Sequence, residues 1–199
     1  ISSSSTFAVE ENQTSVGVIA VTDPDSESFT YSITGSDFVI SSEGVVSFVN
    51  APDYESQTTY GAQVTVSDGT NSTSQDITVT VTNVNDNAPA FTSAASFSAA
   101  ENQTSIGTVT ATDADGDSVT FTVSGSDLSI TSAGVLTFVS APDYETTTSY
   151  SATVTVSDGT NTTTQDITVA VTDANDSAPI ISSSASFTAA ENQTSIGTV

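Results

Sequence analysis

Hydrophobic and polar residues alternate strictly along several short stretches of this chain. The clearest are AQVTVSD at 62–68 and ITVTVT at 77–82, in which every second residue is apolar. This period of two is typical of β-strands with one buried and one solvated face, and no stretch has helical periodicity. In the first part of the chain the pattern predicts strands near 5–9, 16–22, 28–34, 37–41, 45–49, 59–67 and 75–84.

Turn-forming sequences separate these predicted strands at regular intervals. Examples are TGSD at 34–37, SSEG at 41–44 and SDGTN at 67–71, which favour tight turns. Seven short alternating strands in roughly 90–100 residues are typical of a β-sandwich. We therefore expect an all-β fold of tandem, seven-stranded antiparallel β-sandwiches with Greek-key connections. Isolated acidic residues outside the motifs below are interpreted as turn or cap formers: Asp37, Asp76, Asp117, Asp127 and Asp166.

The whole pattern occurs more than once. ENQTS begins at 11, 101 and 191, and APDYE begins at 51 and 141, which gives a period of 90 residues. A unit of this length is large enough to have its own hydrophobic core. The sequence therefore predicts repeat 1 over 1–87, repeat 2 over 88–177, and the first strand region of an incomplete repeat 3 over 178–199, linked end to end.

The last segment, 181–199, repeats the sequence pattern of 91–109 and of 1–19. One interpretation is that the chain is a window cut from a longer array of repeats. The other is that this segment is a donated strand, which closes the sheet edge of another chain. The sequence leaves both interpretations open.

The charge of the chain is extreme. It has 24 acidic residues, no Lys, Arg or His, and a net charge of −24. Such a chain is not expected to bind nucleic acid, because that binding needs cationic side chains against the phosphates, and it is not expected at anionic membranes. It contains no cysteine and no apolar run of the ~18 residues that membrane insertion needs. Because the chain has no Lys, Arg or His, its acidic side chains cannot form salt bridges with other side chains. They must instead be solvated, hydrogen-bonded or bound to a cation.

Many of the acidic residues recur at the same position in each unit. Each unit has an early Glu, a DxD, a DYE, the Asp of SDG, and a closing linker with the sequence NVNDN or DANDS. Carboxylate and amide oxygens are the ligands that Ca²⁺ takes, six to eight at a time. Zn²⁺ would favour His or Cys, and Mg²⁺ prefers to keep its waters. We therefore expect calcium.

These motifs, in this order and twice over, resemble the cadherin family, and bacterial cadherin-like repeats in particular. The resemblance rests on ENQ, on DPD and DAD, on DYE and VSDG, and above all on NVNDNAPAF at 83–91 and DANDSAP at 173–179. It implies that calcium ions, about three at each complete junction, lie between successive sandwiches and are bound by both repeats and the linker.

The resemblance also implies a set of ligands. For the junction between repeats 1 and 2 they are Glu11, Asp53, Glu55, Asn85 (through its carbonyl), Asp86, Asn87, Asp113, Asp115 and Asp158. Two half-sites are implied, one made of Asp23, Asp25 and Asp68 and the other of Glu101, Asp143, Glu145, Asp173, Asn175 and Asp176. Asn83 stands where the family often has Asp, and Ser177 replaces a linker Asn, which is expected to loosen ion binding there. The seven carboxylates of the complete junction, with a charge of −7, would nearly balance three Ca²⁺ ions.

Catalysis is not expected, because the chain lacks the His, Lys and Cys that serve as bases and nucleophiles. The main hypothesis is a calcium-rigidified structural repeat of an extracellular adhesin, bacterial surface filament or matrix fibre, a rod-like spacer whose partners are neighbouring repeats. Calcium sites of the extracellular class, with Kd of about 10⁻⁴–10⁻³ M, are filled outside cells. The alternative is a calcium-dependent polysaccharide- or self-binding module, although the chain has no Trp and only 7% aromatic residues for a sugar platform.

Overall fold

The structure, a computed structural model, describes residues 1–25, 28–183 and 185–198. Strands and turns make up this described part, and none of its segments forms a helix able to cross a membrane. In the first repeat the strands are β1 (Thr6–Glu10), β2 (Ser15–Val18), β3 (Thr30–Ile33), β4 (Phe38–Ile40), β5 (Val45–Phe48), β6 (Thr59–Ser67) and β7 (Ser72–Thr82). All seven predicted strands are therefore confirmed.

The second repeat forms the same strands, with two short additions. They are β8 (Ala90–Phe91), β9 (Ser96–Ala100), β10 (Ser105–Thr108), β11 (Ala111–Thr112), β12 (Thr120–Val123), β13 (Leu128–Ile130), β14 (Val135–Phe138), β15 (Ser149–Ser157) and β16 (Thr162–Thr172). The additions, β8 and β11, pair with each other near the linker. Residues 106–112, the counterpart of the predicted strand 16–22, are split between two partners, because β10 pairs with β14 and β11 pairs with β8.

Each repeat is a sandwich of a four-stranded and a three-stranded sheet. The strand orders are β1-β7-β6-β3 and β2-β5-β4 in the first repeat, and β9-β16-β15-β12 and β10-β14-β13 in the second. One pairing in each repeat differs from the antiparallel expectation, since β1 runs parallel to β7 and β9 runs parallel to β16. Alternation of apolar residues shows which face is buried but not the direction of the neighbouring strand, so the sequence pattern could not reveal this.

Each sandwich has its own core. The alternating apolar residues of β6 and β7 lie between the sheets, and Val64 and Val79 are fully buried. Phe48 packs against Phe38 and Tyr60, with ring centroids 4.7 and 5.0 Å apart. The second core repeats this arrangement with its own residues, Phe138 and Tyr150 among them.

Two expectations from the sequence need correction or comment. Asp76 and Asp166 are not turn formers, because they lie within β7 and β16 and accept cross-strand hydrogen bonds from Gln63 and Thr153. No strand is assigned to the described residues of 178–199, and Ser184 and Val199 lie outside them. The equivalent strands of repeat 2, β9 and β10, pair with β16 and β14.

Candidate metal centre

The linker between the repeats is held by the DxD loop of the second repeat. Asp115 Oδ2 accepts hydrogen bonds from the backbone N–H groups of Asp86 and Asn87, at 3.1 and 2.9 Å. Its Oδ1 accepts a further bond of 2.9 Å from Asn87 Nδ2. The side chain of Asn83 donates to the carbonyl of Asp115 at 2.7 Å. The chain between β7 and β8 is therefore ordered by a loop that lies about 30 residues further along the sequence.

On the side of the first repeat, the linker contacts a buried carboxylate. Glu11 directly follows β1 and is only 2% exposed. Its Oε2 accepts the N–H of Tyr54 at 2.9 Å, and its Oε1 accepts the N–H of Val84 at 2.8 Å. One side chain therefore joins the end of β1, the DYE loop and the start of the linker. Buried carboxylates are found where hydrogen bonds or a cation compensate them.

The two sides meet in a cluster of four carboxylates. Oxygens of Glu11, Glu55, Asp86 and Asp115 lie within 4.8 Å of one another. The amide of Asn87 lies among them and donates to Glu55, Asp86 and Asp115 at 3.3, 2.9 and 2.9 Å. An amide dipole offsets only part of four negative charges, and the chain has no Lys, Arg or His to supply the rest. The cluster therefore has the ligand chemistry and the charge deficit of a cation site.

The pKa values in the cluster reflect this crowding. Desolvation, followed by the charges of Glu11 and Asp115, raises the pKa of Glu55 above 4.5. The amide of Asn87 lowers the pKa of Asp115. A raised pKa means that folding favours protonated Glu55, so this stabilisation is fully present below pH 4.5 and is lost as the pH rises through the raised value. At neutral pH the ionised cluster needs a counter-charge.

A second group of carboxylates lies beside the first. Oxygens of Asp113, Asp115 and Asp117 also lie within 4.8 Å of one another. Oδ1 of Asp113 accepts the N–H groups of Asp115 and Asp117, at 3.0 and 3.3 Å. The other oxygen, Oδ2, is buried and has no hydrogen-bond partner. A buried carboxylate oxygen without a donor is costly, and a hard cation would satisfy it, so the residues present fit Ca²⁺.

Two other predicted ligands are bound within their own loops. Asp53 accepts the N–H of Glu55 at 3.0 Å and the hydroxyl of Ser56 at 2.8 Å, and the Ser56 hydroxyl is the main cause of its lowered pKa. Asp158 Oδ1 accepts the N–H groups of Thr160 and Asn161, both at 2.6 Å. Desolvation opposes ionisation of Asp158, but these backbone bonds lower its pKa overall. Asp53 and Asp158 thus flank the four-carboxylate cluster without belonging to it.

The acidic residues at the end of repeat 2 form a similar arrangement. Glu101, Glu145 and Asp173 have oxygens within 4.8 Å of one another. Glu101 is 4% exposed and accepts the N–H groups of Tyr144 and Ala174, at 2.8 and 2.7 Å. Asp173, the residue at the position of Asn83, therefore adds a carboxylate to this cluster.

The remaining predicted ligands lie in loops. Asp143 accepts bonds from Glu145 and Thr146, while Asn175 and Asp176 are exposed. At the start of repeat 1, Asp23 Oδ1 accepts the N–H of Asp25 at 2.8 Å. Asp68 caps its own loop in the same way as Asp158.

Sequence reasoning missed three asparagines and one aspartate at these sites. Asn12 and Asn102 have positive φ angles of 63° and 61°, and each donates its amide to a linker aspartate, Asp86 or Asp176. Asn161 donates to the linker as well. Asp117, interpreted as a turn former, belongs to the second carboxylate group. The recurrence of Asn in ENQTS was the available signal for Asn12 and Asn102, since Asn tolerates the left-handed region.

Comparison with known proteins agrees with this architecture. The bacterial Ig domain family matches residues 85–172, which is most of the second repeat. Human protocadherin-24 EC1-2 has a TM-score of 0.73 at 21% identity, covering 85% of this chain and 94% of that structure. Mouse cadherin-23 EC22-24 has a TM-score of 0.72 at 25% identity, with coverages of 86% and 64%. No curated protein matches.

A third similar structure is longer than this chain. Drosophila N-cadherin EC1-4 has a TM-score of 0.70 at 24% identity, and the match covers 84% of this chain but only 47% of that structure. The fold and the paired repeats define a class, tandem sandwiches of Ig-type topology. The chain thus has a cadherin-like, Ig-type fold, with two complete sandwiches.

Proposed function

We propose that calcium ions bound at the junction hold the two repeats end to end, and that the chain is a structural repeat of an extracellular adhesin, surface filament or matrix fibre. In this proposal the repeats span 1–87 and 88–177. The observation that carries it is the cluster of Glu11, Glu55, Asp86 and Asp115, which draws carboxylates from the first repeat, the linker and the second repeat.

Some groups at the junction would bind the ion, and others hold the binding residues in position. Glu11, Glu55, Asp86, Asp113 and Asp115 would supply carboxylate oxygens. Hydrogen bonds within the loops and the linker hold these carboxylates close together before an ion binds. Calcium would supply the positive charge that the side chains lack, and its flexible coordination suits a set of loop ligands.

Removing the ion should loosen the junction because the carboxylates of the two repeats then repel each other. Glu55 and Asp86 are exposed, so part of the repulsion is screened by salt. Calcium sites with Kd of about 10⁻⁴–10⁻³ M fill at extracellular but not at cytosolic calcium concentrations. The negative charge of the junction would therefore be neutralised outside cells only. This supports an extracellular location, as for the extracellular cadherin domains among the similar structures.

The test is small-angle X-ray scattering of the whole chain with calcium and with a chelator. We expect a longer maximum dimension and a narrower distance distribution in calcium. Asp113→Asn should weaken the calcium response, whereas Asp23→Asn, which alters the same motif away from the junction, should leave it nearly unchanged. An equally extended particle in chelator, or equal effects of the two variants, would defeat the proposal.

Self-association by strand donation is a second candidate, favoured by the exposed apolar residues of the last segment. Ile181, Phe187 and Ile196 are 75%, 41% and 65% exposed. Their segment repeats the pattern of residues 1–19, so it could replace β1 beside β7 of another copy, in the parallel register that β1 uses. Donation would have to displace β1 first. A chain that stays monomeric at millimolar concentration, with and without calcium, would exclude this candidate.

A further inference from the structure

The SDGTN loop forms the same turn in both repeats. In the second repeat Asp158 Oδ1 accepts the N–H groups of Thr160 and Asn161, and the carbonyl of Asn161 accepts the N–H of Asp158. In the first repeat Asp68 and Asn71 make the equivalent bonds, with the Asp68 Oδ1 contacts at 2.7 Å. These bonds use only the aspartate side chain and the backbone. Within the turn of the second repeat, the Asn161 side chain adds only one long contact, from its Nδ2 to Asp158 Oδ2 at 3.5 Å.

The two asparagine side chains nevertheless have different surroundings. Asn161 is half-buried, and its Nδ2 donates to Oδ1 of Asn85 at 3.0 Å and to the carbonyl of Asn87 at 3.1 Å. The backbone carbonyl of Asn87 can only accept, which fixes the amide orientation of Asn161. Asn71 is exposed. The side chain of Asn161 thus joins the second repeat to the linker, and its copy in the first repeat shows the same loop without a linker.

We propose that Asn161 is a positioning residue that keeps the linker bound to the second repeat when calcium is absent. Its contacts are made by a neutral donor, so neither the charge of the carboxylates nor the loss of an ion removes them. The described side-chain contacts of the linker with the first repeat all involve a carboxylate, which is Glu11, Glu55 or Asp86. The second repeat also uses a carboxylate, Asp115, but it adds the neutral contacts of Asn161.

This asymmetry has a consequence for the junction without calcium. The linker remains a part of the second repeat, and the motion of the first repeat arises near the end of β7, before Asn85. The calcium-free junction is then a hinge with one defined position and not a flexible tether. This consequence rests on the proposed function, but the contact of Asn161 with the linker does not.

The experiment compares hydrogen exchange by NMR in the whole chain for the unmodified protein, Asn161→Ala and Asn71→Ala. The probes are the backbone amides of Asp86 and Asn87, which donate to Asp115. In chelator we expect these amides to stay protected in the unmodified protein. Asn161→Ala should speed their exchange by about fivefold for each hydrogen bond lost, and Asn71→Ala should leave it unchanged.

Separate readouts distinguish failure of this inference from failure of the proposed function. If calcium does not bind, the spectra with calcium and with chelator are identical, yet Asn161→Ala still speeds exchange of the linker amides. If the linker amides of the unmodified protein lose their protection in chelator, or if both variants behave alike, the inference is wrong. Core amides of β15 and β16 report whether each variant folds, and Asn71→Ala measures any local effect of altering this loop.

Discussion

Replacing Glu11 with glutamine tests the central carboxylate of the junction in two ways. The two oxygens of Glu11 accept different backbone N–H groups, from Tyr54 and Val84. Glutamine keeps one acceptor oxygen and places an NH₂ group opposite the other N–H. Because Glu11 is only 2% exposed, water cannot readily replace the lost acceptor. A buried donor left unsatisfied costs about 1–3 kcal/mol.

This cost can be converted to a melting temperature. For a domain of roughly 60–100 residues, 1 kcal/mol shifts the Tm by about 4–8 °C. A loss of about 2 kcal/mol should therefore lower the Tm of repeat 1 by roughly 8–16 °C in chelator. Differential scanning calorimetry measures this without any contribution from calcium.

Glu101→Gln is the matched control, because Glu101 makes the same two bonds, to Tyr144 and Ala174. Both variants should lose similar stability in chelator. In calorimetric titrations of the complete junction with calcium, Glu11→Gln should also weaken affinity by about tenfold or more, and Glu101→Gln should not. A Glu11→Gln protein that melts like the unmodified one refutes the hydrogen-bond reasoning. Equal calcium isotherms for the two variants refute the assignment of Glu11 to the site.

Three further predictions follow from the structure. Because the pKa of Glu55 is raised, calcium binding near pH 5 should release protons that are not released at pH 7. Calorimetric titration in buffers of different ionisation enthalpy measures this release, and equal proton release at the two pH values contradicts the prediction. Asp113→Asn should remove the uncompensated negative charge at the buried, unpaired Oδ2, so it should raise the Tm in chelator and lower it in calcium relative to Asp23→Asn. A change of one sign in both conditions contradicts it. Gly134→Ala should destabilise repeat 2 much more than Gly125→Ala. Both glycines have φ of +85°, which costs an alanine about 1–2 kcal/mol, but only at Gly134 would the Cβ meet a backbone oxygen, at 2.2 Å; equal urea midpoints contradict this.

The strands could be predicted from the sequence because the alternation of apolar and polar residues directly shows which side chains are buried. Val64, Val66, Ile77 and Val79 are apolar at every second position, and all four are buried. The direction in which β1 pairs was not predictable, since a parallel and an antiparallel neighbour bury the same face. The split of residues 106–112 between two sheets was also not predictable, because the alternation of a strand does not show which distant strand it pairs with.

The acidic constellation was predictable as a set but not in its detailed arrangement. The motifs indicated which carboxylates recur, and the structure brings Glu11, Glu55, Asp86 and Asp115 together. Short-range hydrogen bonds that hold Asp53 and Asp158 in their own loops depend on local backbone geometry. The amide contacts of Asn161 depend on how two repeats meet, and the sequence of one loop carries no direct sign of that.

The parallel pairing of the first and last strands of each sandwich also bears on how the protein responds to tension. In the first repeat, β1 and β7 lie side by side along Thr6–Glu10 and run in the same direction. The chain therefore enters a sandwich at one end and leaves it at the other. Pulling on the two ends would slide these strands past each other and load their hydrogen bonds together, whereas an antiparallel terminal pair would open one bond at a time. The topology thus orients each repeat to resist stretching along its long axis.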